Sequence, residues 1–284
     1  MRRFAAAALI VAAPFALSGT ATAKTAGVQL RVLRLVDHSR VAHFDDGASG
    51  PRVLLTYVRY PTRGRGPYPL VVFAHGFALT PATYVRLLDA WARAGYVVAA
   101  PLFPVENANA PGGADQRDLV NEPADISFVI SRLTATLRTL IDSTEIAVAG
   151  HSDGAVATLS VAYDRRYRDR RIDAAVVMSG AALPGFARPE PGVAPLLALQ
   201  GTADPLNSPA TTAAYFARMR RPKFLLWLQG ATHRAPYTTD DRYEPLVARA
   251  TTAFLDHYLK EAPLRPLLRA TGSPRGAGRL VADP

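Results

Sequence analysis

The chain has 284 residues, of which 49% are apolar and 20% charged; that composition supports a sizeable core and excludes a short peptide or wholesale disorder. The absence of cysteine excludes a disulfide scaffold, cysteine-ligated zinc, an iron–sulfur cluster and a cysteine nucleophile. The net charge of +10 is carried almost wholly by arginine, with only Lys24, Lys223 and Lys260 as lysines, and such a balance points weakly to anionic partners.

In chain order, Arg2 and Arg3 precede a short apolar run from Phe4 to Leu17, and Ala21-Thr22-Ala23 supplies a small-x-small site before Lys24. A positive start, an apolar run too short to span a bilayer and a small-residue site read as a signal peptide over 1–23, cleaved near Ala23. The mature protein is then expected to be secreted or periplasmic, without stable membrane insertion. The remainder divides into a domain over 24–261 and a flexible tail over 262–284, rich in Pro, Gly and Arg.

Val53–Arg59 alternates, as a half-exposed antiparallel strand does. Leu70–Ala74 is continuously apolar and suits a strand buried on both faces. Thr80 and Pro81 open a helix carrying Leu87, Leu88 and Trp91 toward Gly95. Tyr96–Ala100 is the next strand. Pro101–Glu122 has no periodicity, and a loop of about 20 residues is usually functional or disordered. Pro123–Leu140 repeats Ile126, Val129, Ile130, Leu133 and Leu137 at helical spacing. Ile146–Ala149 is a strand and Asp153–Tyr163 a helix. Five arginines between Asp164 and Arg171 are interleaved with aspartate; they read as a solvated helix end and not as a nucleic-acid contact. Strands Ala174–Met178, Leu196–Gln200 and Phe224–Leu228 follow, with helices from Ser208-Pro209 and over Tyr243–Leu259. Alternating strands and helices predict an α/β fold with a mostly parallel sheet of about eight strands and helices on both faces.

Gly150-His151-Ser152-Asp153-Gly154 is a G-x-S-x-G pentapeptide. It stands between a buried-strand run and a helical start, the strand–turn–helix that this motif requires. The serine must sit on a sharp turn that lifts its Oγ above the sheet, and Gly150 and Gly154 let strand and helix pass closely. In this it resembles the nucleophile turn of α/β-hydrolases, whose triads run in the order Ser, acid, His.

A serine hydroxyl needs a base, and the base needs an orienting carboxylate. Of six histidines, only His233 follows a terminal strand, in Gln229-Gly230-Ala231-Thr232-His233. Asp204 follows Leu196–Gln200 in Gly201-Thr202-Ala203-Asp204-Pro205, whereas no Asp or Glu lies between Asp173 and Glu190. Asp240 and Asp241 are fallbacks but come after the histidine. Acyl transfer also needs two N–H groups for the oxyanion. Asp153, directly after the nucleophile, supplies one. Phe77, in the His75-Gly76-Phe77 segment after Leu70–Ala74, supplies the other. Gly76 permits close backbone approach, and His75 and His151 are read as supports of these loops.

The stretches YPLVVFAHGF, IAVAGHSDGA, LQGTADPLNSP and LLWLQGATHRAP extend the resemblance to the α/β-hydrolase superfamily over about residues 50–260. Within it the chain is similar to secreted cutinase-type polyester hydrolases and to the chlorophyllase and dienelactone-hydrolase branches. The polyester hydrolases tend to have Pro at the place of His75, Met or a similar residue at that of Asp153, and a tryptophan after the strand ending at Met178, where this chain reads Ser179-Gly180-Ala181-Ala182. Only about 16 residues separate Met178 from the next strand, where many lipases insert a helical cap, so the resemblance implies an open site without a large cap. Pro101–Glu122 and His233–Asp241 would rim it, with Phe77, Phe103 and Leu206 as apolar contacts. It implies a serine hydrolase for small or polymeric carboxylic esters that needs no metal or cofactor and takes no nucleic acid as partner; activity should rise with pH as the histidine base loses its proton. An amidase on the same triad and an inactive hydrolase-fold binding protein are the alternatives. Oligomeric state is not readable from the sequence.

Overall fold

A computed structural model describes residues 21–25, 27–186, 189, 193–269 and 276–284. Its strands are β1 (Ala21–Thr25), β2 (Val28–His43), β3 (Ser49–Pro61), β4 (Tyr68–Ala74), β5 (Val97–Leu102), β6 (Ile141–His151), β7 (Ala174–Met178), β8 (Leu196–Gly201), β9 (Lys223–Leu228) and β10 (Gly278–Asp283). Its helices are α1 (Val85–Arg93), α2 (Glu122–Thr136), α3 (Asp153–Tyr163), α4 (Pro209–Arg218), α5 (Ala235–Thr238), α6 (Glu244–Lys260) and α7 (Arg265–Leu268).

Among the described residues the strands form one sheet, in the order β1-β2-β3-β5-β4-β6-β7-β8-β9-β10. The six strands from β5 to β9 in that order run parallel. β1, β2 and β3 add antiparallel at one edge, and β10 at the other. The period of two divides each central strand between two cores. Leu70, Val72 and Ala74 of β4 face α2 and α3, with Val97 and Ala99 of β5 beside them. Val71 and Phe73 face the other way, against Leu88 and Trp91 of α1 and Leu246 and Phe254 of α6. Continuous apolar runs are thus explained by burial on both faces. The expected α/β-hydrolase architecture is present, and no large cap is present among the described residues.

Three strands went unread. In β2 the alternation is thrown out of phase at the adjacent apolar residues Val32 and Leu33, and its register against β3 shifts between Asp37 and Val41. β10 lies in the segment expected to be a loose tail. That expectation is corrected for 278–283, which hydrogen-bond along the whole of β9; the backbone ladder, not side-chain pattern, holds this segment. Residues 1–20 of the expected leader lie outside the described residues, and Ala21, Thr22 and Ala23 begin β1. Among the described residues no helix is long and apolar enough to cross a membrane.

The aperiodic stretch after β5 is built from side-chain turns. Asn107 Nδ2 donates to the carbonyls of Phe103 and Pro104 at 2.6 and 3.1 Å, and its Oδ1 accepts from Asn109 N–H at 2.8 Å. Asp115 caps a 3-10 turn over Gln116–Asn121 that leads into α2. The basic run closes on itself: Arg166 pairs with Asp164 at 2.6 Å, and Arg171 with Asp169 at 2.5 Å. The loops after β4, β6, β8 and β9 all leave the carboxyl ends of parallel strands, where open α/β sheets place their sites.

Candidate active site

Ser152 joins β6 to α3 with φ 56° and ψ −121°. A non-glycine residue in that region costs about 1–3 kcal/mol, so its surroundings must impose it. Ser152 N–H donates to Met178 O at 3.0 Å, tying the turn to β7. The glycines act by absence: a Cβ on Gly150 would lie 2.1 Å from Gly154 O, and one on Gly154 would lie 2.2 Å from Ala74 O and 2.4 Å from His75 O. The backbone therefore approaches too closely for any side chain, as the motif reading required.

The structure brings the three expected triad residues together. His233 Nε2 lies 2.9 Å from Ser152 Oγ, and His233 Nδ1 lies 2.8 Å from Asp204 Oδ2. Asp204 Oδ2 also accepts from Gln200 Nε2 at 3.1 Å, and Oδ1 accepts from Leu206 and Asn207 N–H at 2.9 Å each. Burial pushes the Asp204 carboxyl up, but His233 and the Asn207 and Leu206 N–H groups outweigh it and hold the carboxyl below its ordinary value. An ionised carboxylate can only accept, so Nδ1 of His233 carries the proton and Nε2 is left to accept from the serine hydroxyl. Asp240 and Asp241 lie elsewhere: Asp240 caps Arg242 N–H, and Asp241 pairs with Arg86 at 2.8 Å.

The loop after β4 reaches Ser152. A Cβ on Gly76 would sit 3.1 Å from Ser152 Cβ. Among the described residues neither Phe77 N–H nor Asp153 N–H is engaged in a hydrogen bond. Gly76 N–H is not free, since it donates to Tyr84 Oη at 3.2 Å. His75 is buried and sits between loops: its Nε2 accepts from Phe103 N–H at 3.1 Å, which leaves Nδ1–H for Gly76 O at 3.0 Å. Burial pushes its imidazole down to about 4, so it is neutral. Phe103 is wholly buried against His75 with ring centroids 4.9 Å apart; the expectation that it contacts substrate is corrected to packing. Phe77 and Leu206 remain exposed, at 41% and 75%.

His151 is central to a network that sequence reading left undivided. Tyr84 Oη lies 2.7 Å from His151 Nδ1, and His151 Nε2 lies 2.9 Å from His233 O. Because Tyr84 accepts from Gly76, its own proton goes to Nδ1, and Nε2–H donates to His233 O. Burial pushes His151 down to about 3, with His233 adding to the shift, so it stays neutral. One imidazole thus links the Gly76 loop, the serine turn and His233. Tyr84, Tyr237, Gln200 and Asn207 were not foreseen. Tyr237 Oη lies 3.0 Å from Ser179 Oγ, and Asn207 Nδ2 donates to Ser179 O. Tyrosines and amides in turns carry no motif, and Gln200 at the end of an apolar strand was the one visible signal.

A family model described as Chlorophyllase matches residues 31–182, more than half of the chain. That span includes His75–Phe77 and Gly150–Gly154, while Asp204 and His233 lie beyond it. No curated protein matches the chain. Among solved structures, the ferulic acid esterase from Streptomyces cinnamoneus is 23% identical with a TM-score of 0.72, covering 92% of this chain and 98% of its own; at that identity it shows the fold. The chain belongs to the chlorophyllase family and is a carboxylic ester hydrolase of the α/β-hydrolase fold.

Proposed function

We propose that the protein cleaves carboxylic esters through Ser152, His233 and Asp204 by way of an acyl-enzyme. The observation that carries this is the unbroken hydrogen-bond chain from Ser152 Oγ through His233 to Asp204. Ser152 Oγ attacks the acyl carbon as His233 Nε2 takes its proton. The imidazolium is stabilised by Asp204, and the tetrahedral oxyanion is held by the N–H groups of Phe77 and Asp153. His233 then returns the proton to the leaving alkoxide, and water, activated by the same base, releases the acid. Phe77, next to Gly76, and Leu206, two residues after Asp204, are exposed apolar side chains and support substrates with an apolar acyl or alcohol group.

The leader-like composition of residues 1–23 supports export, with Lys24 as the first mature residue. Mass spectrometry of the exported protein is expected to give that terminus. Turnover of a series of nitrophenyl esters tests the chemistry. Ser152→Ala is expected to cost about 10⁴-fold or more in kcat, and Asp204→Asn a comparable loss through the wrong tautomer. Retention of wild-type turnover by Ser152→Ala would sink the proposal.

A further inference from the structure

Glu106, on the loop after β5, and Glu122, the first residue of α2, are 1% and 0% exposed. Among the described residues no N–H, hydroxyl or cation reaches an oxygen of either carboxyl. The groups that face them are acidic: Asp153 at the start of α3, Asp118 on the 3-10 turn and Asp125 on α2. The nearby arginines are committed elsewhere. Arg52 holds Asp118 at 2.7 Å and Asp125 at 2.5 Å, and Arg40 holds Asp125 and Asp37 at 2.7 Å each.

Two buried anions with acidic neighbours and no donor are not a stable arrangement. Protons resolve it. With one on each carboxyl, Glu122 O–H can bond Glu106, and Glu106 O–H can bond Asp153. Burial pushes Glu106 up to about 9 and Glu122 well above the ordinary carboxylate range. Asp153 Oδ2 also accepts from Gln116 Nε2 at 2.6 Å, so the Asp153 side chain is gripped from two elements.

The main chain of Glu106 grips the other half of the site. Its carbonyl accepts from Ala78 N–H at 2.9 Å, and Ala78 sits at φ +52° directly after Phe77. Glu106 therefore meets both halves of the oxyanion site, through its carbonyl to Ala78, the residue directly after Phe77, and through its carboxyl to Asp153. We propose that Glu106, carrying a proton and capped by Glu122, is a positioning residue that fixes the spacing of the Phe77 and Asp153 N–H groups. This rests on the reading of Ser152 as nucleophile and of those N–H groups as the oxyanion donors. Loss of the proton places an anion beside Asp153, close to where the oxyanion forms, so kcat falls at alkaline pH while KM holds.

The test is a kcat and KM profile from pH 6 to 10.5 on a short-chain ester, with far-UV circular dichroism at each pH. The proteins are wild type, Glu106→Gln, Glu106→Ala and Ser152→Ala. Wild type is expected to lose kcat above about pH 9 with its fold intact. Glu106→Gln has an amide that always donates to Asp153; it is expected to hold kcat within about 3-fold of wild type near pH 7 and to lose the alkaline fall. Glu106→Ala should lose about 10-fold in kcat with little change in KM, short of the ~10²–10³ for removing an oxyanion donor outright. If Glu106→Ala does not fold, the Glu106→Gln profile decides. A Glu106→Gln profile that superposes on wild type, or a wild-type fall that tracks unfolding, overturns the inference while Ser152→Ala is dead. Turnover by Ser152→Ala would overturn the underlying reading instead.

Discussion

At the serine turn, His151 spends both ring nitrogens inside the protein, one on Tyr84 and one on the carbonyl of His233. His151→Phe keeps the ring, which packs 4.8 Å from His233 and 5.0 Å from Tyr237, but leaves the Tyr84 hydroxyl proton without an acceptor and the buried His233 carbonyl without this donor. The expected cost is about 1–3 kcal/mol in urea unfolding at pH 7, with kcat lowered and KM held because the base is less well placed. Unchanged kcat would show that the link is not needed. The meeting of Ser152, His233 and Asp204 was legible because each carries a positional signal: the glycines flank Ser152, and Asp204 and His233 follow apolar strands in order. Glu106 carried none. It sits in an aperiodic stretch, and its meaning depends on Asp153 and Glu122 meeting it in space, which no local pattern encodes.

At the scale of elements, the crossing of β6 and α3 beside β4 sets the turn. Gly154→Ala must push its methyl into the carbonyls of Ala74 and His75, and is expected to destabilise by more than about 2 kcal/mol. Gly50→Ala in β3, where an added Cβ meets nothing within 4 Å, is expected to stay within about 0.5 kcal/mol. Equal urea midpoints for the two variants would contradict this steric account. The central strands were readable because burial on both faces demands continuous apolar residues. The edge strands were not. β10 is held by pairing with β9, and β2 changes the phase of its apolar positions midway along.

At the scale of the molecule, folding keeps His75 and His151 neutral, with values pushed down to about 4 and about 3 by burial. The unfolded chain binds protons at these histidines at higher pH than the folded chain does. The stability they allow is therefore full above the ordinary histidine range and is lost as pH falls toward those values. The stability gap between wild type and His151→Phe should accordingly narrow from pH 7 to pH 4, measured by urea midpoints; a gap that widens would reverse the assignment. The sheet gathers loops from β4, β6, β8 and β9 at one edge, so residues far apart in sequence share one site. The central claim is that Ser152 is the nucleophile on which they converge. Labelling the folded protein with an organophosphonate and mapping the adduct by peptide mass spectrometry tests it directly. One adduct per chain on Ser152, with parallel loss of ester turnover, is the expected result; an inactivated protein modified elsewhere, or an active protein that carries no label, would contradict it.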